Sequence, residues 1–158
     1  MIARARAPEK PAARAPTGIE GLDRLIQGGL PRGSVNLVAG PAGSGKTLLA
    51  TQFAYNGATL FEEPAAYLAL EESRESLERA MTGFGIDLAG AEEAGTFVLV
   101  DLGAIRAGSS RDGLAVGLPE LEDFLRSLIA STHVRRVVLD SISGVGLKMK
   151  SVPDLREE

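Results

Sequence analysis

The sequence contains no cysteine and no tryptophan, a single histidine and only 4% aromatic residues. Without cysteine the chain has neither a disulfide framework nor a thiolate metal site, and one histidine does not make a metal cluster. Its apolar runs are too short to cross a bilayer, so we expect a soluble, cytoplasmic protein with no membrane partner. The 44% of residues that are hydrophobic suffice for the core of one domain.

The first 16 residues differ in charge from the remainder of the chain. They carry four basic residues against one acidic residue, which leaves a formal balance of −7 on the rest of a chain whose net charge is −4. Their prolines predict a disordered basic tail and argue against an amphipathic targeting helix. The acidic remainder, residues 17–158, is expected to form one domain, and its charge makes nucleic acid an unfavourable main ligand.

Short hydrophobic segments alternate with longer amphipathic ones along this domain. A strand–helix alternation of this kind implies right-handed crossovers and a sheet covered on both faces. The sequence therefore predicts a three-layer α/β/α domain with a mainly parallel sheet. The expected elements are a short helix within 17–31, a strand at 34–39, a helix at 47–60, a strand at 64–70, a helix at 73–84 capped by Ser73 with Leu77, Ala80, Met81 and Phe84 on one face, a strand at 96–102, a long loop at 103–117, a helix at 119–131 and a strand at 135–140.

The segment from Gly40 to Thr47, GPAGSGKT, has the spacing of a phosphate-binding loop. Glycines allow the backbone to curl so that its N–H groups point at phosphate oxygens, and the following helix adds its positive end. We expect Lys46 to reach the β- and γ-phosphates and Thr47 to give a hydroxyl oxygen to Mg²⁺. The predicted nucleotide contacts are Gly40, Ala42, Gly43, Ser44, Gly45, Lys46, Thr47 and Leu48.

Three carboxylates follow predicted strands at the same edge of the sheet. Asp140 comes directly after three apolar residues and is the candidate second acid at the magnesium ion, with a strand-end cap as the alternative. Glu71 and Glu72 follow the second strand, where a carboxylate could orient or deprotonate an attacking water. Both also precede the helix at Ser73, where negative charge is stabilising in itself. Position alone leaves these two interpretations of the glutamates even.

Residues 17–140 resemble a KaiC-type domain of the RecA-like P-loop ATPases. The resemblance rests on the blocks TGIEGLDRLIQGGLPRGSVNLVAGPAGSGKTLLATQFAYNGA, AAYLALEESRESLERAMTGFGIDL and VVLDSISG. It implies ATP rather than GTP, with Mg²⁺, and makes Glu71 and Glu72 the catalytic pair that activates water. It also associates the chain with the circadian clock protein family, with homo-oligomeric hexameric rings and with a protein partner in signalling.

In that family a sensor strand lies between the P-loop strand and the strand that ends on the second acid. This chain continues for only 18 residues beyond Asp140, so we expect a core that is incomplete at its C-terminus and lacks autokinase activity. An unfilled gap would orphan backbone groups on two buried strands, at about 1–3 kcal/mol each. The two strands would pair directly, take a strand from another chain, or leave the domain with limited stability.

Three functions are weighed against each other on these grounds. The first is a slow Mg-ATPase of KaiC type, and the second is a regulatory module that binds ATP without hydrolysing it. A DNA-dependent recombinase-type ATPase is a distant third because the body of the chain is acidic. Arg135 and Arg136 open the last strand, away from the nucleotide, and are expected to be solvated. No role is assigned to His133.

Overall fold

The computed structural model describes residues 13–103 and 118–141. Most of the predicted basic tail, nearly all of the loop predicted at 103–117 and the segment 142–158 lie outside the described residues. The elements in chain order are β1 (Arg14–Ala15), α1 (Leu22–Leu25), β2 (Leu30–Pro31), α2 (Lys46–Leu60), β3 (Ala65–Ala69), α3 (Arg74–Thr82), α4 (Leu88–Glu93), β4 (Phe97–Asp101), α5 (Leu118–Thr132) and β5 (Arg136–Asp140).

Three of these strands form a parallel sheet in the order β4-β3-β5. Ala69, the last residue of β3, lies opposite Asp101 at the end of β4 and opposite Asp140 at the end of β5. The carboxyl ends of the three strands therefore coincide, and they form the edge at which open α/β sheets bind their ligands.

The central strand β3 is buried on both faces, which explains its continuous apolar sequence. Ala65, Tyr67 and Ala69 lie in a core that they share with α2, α3 and α4. Ala66 and Leu68 point the other way, into a second core that they share with α5. This arrangement confirms the predicted three-layer α/β/α architecture with its parallel sheet.

The helix α3 has the predicted N-cap but ends earlier than predicted. The hydroxyl oxygen of Ser73 accepts a hydrogen bond from the N–H of Ser76 at 3.3 Å, and Leu77 and Met81 are buried as expected. The prediction for the other two residues of that face was wrong: Ala80 is exposed, and Phe84 lies beyond the last helical residue with 61% of its surface exposed. The short helix α4, capped by the Asp87 side chain, was not predicted.

The start of the described chain is more ordered than predicted. Arg14 and Ala15, within the expected disordered tail, pair antiparallel with β2, and only one turn of the helix expected within 17–31 is formed. The carboxylate of Asp23 accepts hydrogen bonds from the N–H and the hydroxyl of the buried Thr17, both at 2.8 Å. Burial acts to raise the pKa of Asp23, but the hydrogen bonds from Thr17 and Gly18 outweigh it and lower that pKa.

Residues 34–39, predicted to be the strand that leads into the glycine loop, have no regular secondary structure. Val35 is fully exposed, and the exposed fractions of Leu37 and Val38 are 76% and 46%. In the part of the chain that the structure describes, no strand pairs with the side of β5 that faces away from β3. A strand needs a hydrogen-bonded neighbour to be stable, and this segment has none. The direct pairing that the sequence left open therefore does not occur.

Arg136, predicted to be solvated, is instead only 3% exposed. Its Nε and Nη2 atoms each lie 2.7 Å from Oε2 of Glu63, and Nη1 donates to the carbonyl oxygens of Pro16 at 2.8 Å and Phe53 at 2.9 Å. Its guanidinium carbon lies 4.6 Å from the centroid of the Phe53 ring. These partners offset the cost of burying the charge. Arg136 thus ties β5 to α2 and to the start of the chain, whereas Arg135 is exposed as predicted.

Replacing Arg136 with alanine should lower the free energy of unfolding by about 3 kcal/mol, because it removes the buried partner of Glu63 and the hydrogen bonds to the carbonyl oxygens of Pro16 and Phe53. The matched control is Arg135→Ala, which removes an exposed arginine from the neighbouring position and should change stability by less than about 0.5 kcal/mol. Urea unfolding followed by circular dichroism measures both. Equal midpoints for the two variants would contradict the role assigned to Arg136.

Candidate phosphate-binding site

A glycine loop shapes the first turn of α2. Gly43 and Gly45 have φ values of 77° and 83°, in the left-handed region that favours glycine. Gly45 is the N-cap residue, and its carbonyl oxygen accepts a hydrogen bond from the N–H of Leu49 at 2.9 Å. The helix begins at Lys46, one residue earlier than predicted, and runs for 15 residues. Its first N–H groups have no partner within the helix and point toward the loop.

An open cleft of about 270 Å³ lies over this loop. Lys46 lines the cleft, and its Nζ donates a hydrogen bond to the carbonyl oxygen of Pro41 at 2.9 Å. The cleft therefore combines one ammonium group with the positive end of a helix, which is the chemistry that suits a phosphate group. Its lining consists of Val38, Ala39, Gly40, Pro41, Ser44, Gly45, Lys46 and Leu49.

The structure brings half of the predicted nucleotide contacts together around the cleft. Four of them line it, namely Gly40, Ser44, Gly45 and Lys46. The other four belong to the same loop and first helical turn without lining the cleft, namely Ala42, Gly43, Thr47 and Leu48.

Asp140 ends β5 on the face of the sheet that carries α2, because Val138, two residues earlier, lies in the core shared with that helix. Its Oδ2 accepts a hydrogen bond from the hydroxyl of Tyr67 at 2.6 Å. Tyr67 is 1% exposed and stands in the centre of β3. Burial, together with the hydrogen bond to Asp140, raises the pKa of Tyr67, so its hydroxyl stays protonated as a donor.

Thr51 is a buried polar residue on the helix above this pair. It lies on α2, is fully buried, and its hydroxyl donates to the carbonyl oxygen of Thr47 at 2.8 Å. Its hydroxyl is thus satisfied within the first turns of the helix that follows the glycine loop.

The two glutamates that follow β3 differ in their surroundings. Glu72 is half-buried, and its Oε1 accepts a hydrogen bond from the hydroxyl of Ser76 at 2.8 Å. It lies three residues beyond the end of β3, and Ala69 at that end is opposite Asp140. Glu71 is exposed. Glu72 is therefore the better placed of the two for a role in the site.

A magnesium ion would find few protein ligands here. Within residues 13–103 and 118–141, no group of three or more histidine, aspartate or glutamate side chains could hold a metal ion. The hydroxyl of Thr47 and the carboxylate of Asp140 nevertheless fit Mg²⁺, which is commonly bound by one or two protein oxygens together with water and substrate phosphates.

No helix in the described ranges is long and apolar enough to span a membrane.

Tyr67 and Thr51 were not singled out in the sequence. The signal for Tyr67 was present, because a tyrosine inside an otherwise aliphatic buried strand needs a partner for its hydroxyl. In the parallel register Tyr67 lies opposite Val138, so a ring that extends toward the strand end reaches Asp140. Thr51 carried no comparable signal, because a threonine within a helix usually bonds back to its own backbone.

Comparison with known proteins agrees with this geometry. A family model described as "ATPase: KaiC" matches residues 15–158. A UPF0273 protein of Sulfurisphaera tokodaii is 37% identical over 138 residues, which cover 82% of this chain and 48% of the relative. The circadian clock oscillator protein KaiC of Thermostichus vulcanus is 34% identical over 149 residues, which cover 92% of this chain and 28% of the relative. Among solved structures, a KaiC-like protein of Pyrococcus horikoshii has a TM-score of 0.72 and 32% identity, over 89% of this chain and 58% of that one.

The parallel sheet, the glycine loop and the structural neighbour define the fold as that of a RecA-like P-loop ATPase domain. The chain belongs to the KaiC family of ATPases. It spans 48% of the UPF0273 relative and 28% of the KaiC relative.

Gly45→Ala should destabilise the protein by about 1 kcal/mol, because alanine is strained in the left-handed conformation. No atom lies within 4 Å of the added Cβ, so strain is the whole effect. The control is Gly83→Ala, at a helical φ of −62° with a nearest contact of 3.4 Å. It should be neutral or stabilise by up to about 1 kcal/mol. Urea unfolding measures both, and a Gly45→Ala protein as stable as wild type would speak against the loop geometry.

Proposed function

We propose that this chain binds Mg-ATP in the cleft over the glycine loop and hydrolyses it slowly, as a KaiC-like domain. Residues 17–158 form the ATP-binding unit in this proposal, and the nucleotide state governs self-assembly or the binding of a protein partner in the cytoplasm. The observation that carries the proposal is the position of Lys46 in an open cleft at the start of α2, beside two left-handed glycines. Membership of an ATPase family supports it.

The phosphates would be bound by the backbone N–H groups of the loop and the first turn of α2. Lys46 would exchange its hydrogen bond with the Pro41 carbonyl for one with a phosphate oxygen. Because that carbonyl holds the ammonium at the loop, the side chain starts close to its target and little ordering is needed.

Thr47 and Asp140 would hold the magnesium ion. Mg²⁺ neutralises charge that develops on the phosphate oxygens and orients them when it is bound. The hydrogen bond from Tyr67 occupies Oδ2 of Asp140 and fixes the carboxylate. Oδ1 would then be the carboxylate oxygen available to the ion or to its bound water.

Glu72, with Glu71 beside it, would orient the attacking water and take its proton. The Ser76 hydroxyl holds one carboxylate oxygen of Glu72 at 2.8 Å. Glu72 directly follows Glu71 at the end of β3, and the N–H of Leu70 donates to the carbonyl oxygen of Asp140 at 2.7 Å. This contact keeps the chain that carries both glutamates beside the acid proposed for the metal.

Lys46→Ala should weaken Mg-ATP binding by roughly 10- to 100-fold, because it removes a charged hydrogen bond to the phosphates. Isothermal titration calorimetry of both proteins measures the difference. Lys10→Ala, which removes the same kind of side chain outside residues 40–48 of the sequence, is the matched control and should bind as wild type does. Wild-type protein that gives no saturable binding would refute the proposed function.

The second candidate function is a regulatory module that binds ATP without turnover. The exposed segment 34–39 favours it, because the loop is then held to the sheet only through α2. Binding of phosphates needs only the loop and the helix, whereas hydrolysis also needs a fixed distance from the γ-phosphate to Glu72. A recombinase-type DNA-dependent ATPase remains disfavoured by the net charge of −4.

Glu72→Gln should lower the rate of phosphate release from Mg-ATP by roughly 10²- to 10⁴-fold, the usual contribution of a general base. Glu75→Gln, which changes an exposed glutamate in the first turn of α3, is the control and should keep the wild-type rate. If wild type binds Mg-ATP but releases no phosphate above background, the non-hydrolysing module is the correct function.

A further inference from the structure

Tyr67 is one of the largest side chains that are fully buried in the described residues. Its neighbours along the strand are alanine and leucine, so a phenylalanine would satisfy the packing there. A phenol hydroxyl in an apolar core is costly unless it is hydrogen-bonded. The hydrogen bond to the carboxylate of Asp140, at 2.6 Å, offsets the cost of burying the Tyr67 hydroxyl.

The register of the sheet explains how this contact arises. Tyr67 lies opposite Val138, and Asp140 is two residues further along β5 on the same face. Two residues of a parallel strand span about 6.6 Å, which is within reach of a tyrosine side chain that leans along the strand. No shorter polar side chain at this position would bridge the same distance.

The ring of Tyr67 packs in the core beneath α2, the helix that carries the glycine loop. Thr51 of that helix is fully buried, and its hydroxyl donates its one proton to the Thr47 carbonyl oxygen at 2.8 Å. The hydroxyl proton of Tyr67 is likewise committed to Asp140. The hydrogen bond between Tyr67 and Asp140 is therefore the polar contact that this side chain makes.

We propose that Tyr67 is a positioning residue for magnesium: its hydroxyl holds the carboxylate of Asp140 in one orientation. The proposal rests on the proposed Mg-ATP site and adds a residue to it. Loss of the Tyr67 hydroxyl should lower the affinity of the ATP-bound protein for Mg²⁺ and leave the contacts between the loop and the phosphates intact. Hydrogen-bonding partners of metal ligands typically contribute 10- to 100-fold to metal affinity.

The test consists of two titrations monitored by calorimetry. In the first, Mg²⁺ is added to the protein at saturating ATP, and in the second, ATP is added in the presence of EDTA. Tyr67→Phe should raise the Mg²⁺ concentration at the midpoint by about tenfold. Its affinity for ATP in EDTA should equal that of wild type. A purely structural role would change both affinities or neither. The matched control is Tyr55→Phe, which alters the only other tyrosine of the chain and should change neither quantity.

The Tyr55→Phe protein supplies a second readout that does not require Tyr67→Phe to fold. Its single remaining tyrosine, labelled with ¹³C at Cζ, should give one signal that shifts when Mg²⁺ is added to the ATP-saturated protein. An unchanged Mg²⁺ midpoint in Tyr67→Phe, or an unmoved signal, would overturn this inference while ATP binding by wild type still stands. Absence of ATP binding in wild type would instead overturn the proposed function itself.

Discussion

Burial of β3 on both faces, with a hydrogen-bonded strand on each side, is the constraint on which the arrangement of the site depends. The register that this strand imposes brings Asp101 and Asp140 level with Ala69. The alternation of its side chains sends Tyr67 toward α2 and Leu68 toward α5. The register of this five-residue strand therefore sets the position of Asp140 at the sheet edge, and its alternation sets which side chains face α2.

The helix that carries the glycine loop is held to the sheet by side chains. At the middle of the helix, the Phe53 carbonyl oxygen accepts a hydrogen bond from Arg136 of β5, which also pairs with Glu63. Burial acts to raise the pKa of Glu63, but hydrogen bonds and charge from Arg32 and Arg136 outweigh it and lower that pKa. Along the same helix, Ala54 and Ala58 lie in the core that α2 shares with Tyr67. These contacts hold α2 on the sheet although the segment before the loop, residues 34–39, has no regular secondary structure.

Hydrophobic periodicity was enough to predict most of the layers, because α2, α3, α5 and the three paired strands each bury one stripe or both faces. It failed at residues 34–39, where an apolar, β-prone sequence has no neighbour to pair with: strand propensity reports what fits a sheet, not whether a sheet is there. It failed again at Arg136, because a charged residue at a strand start is usually exposed and its carboxylate partner, Glu63, is distant in sequence.

The candidate site shows the same division between local and non-local information. The loop from Gly40 to Thr47 was recognisable because phosphate binding fixes glycines and a lysine at set spacings along the chain. The contact between Tyr67 and Asp140 joins residues on two strands, so no local pattern could reveal it. Roles for Glu71 and Glu72 were suggested by family resemblance rather than by position, and they remain predictions.

The central claim is that nucleotide phosphates bind at the first turn of α2. The most direct measurement is the change in backbone amide chemical shifts when Mg-ATP is added to ¹⁵N-labelled protein. The account predicts that the largest changes fall on the amides of Gly43 to Leu48, with smaller ones at Glu72 and Asp140. Changes centred on any other surface, or none at saturating nucleotide, would contradict it.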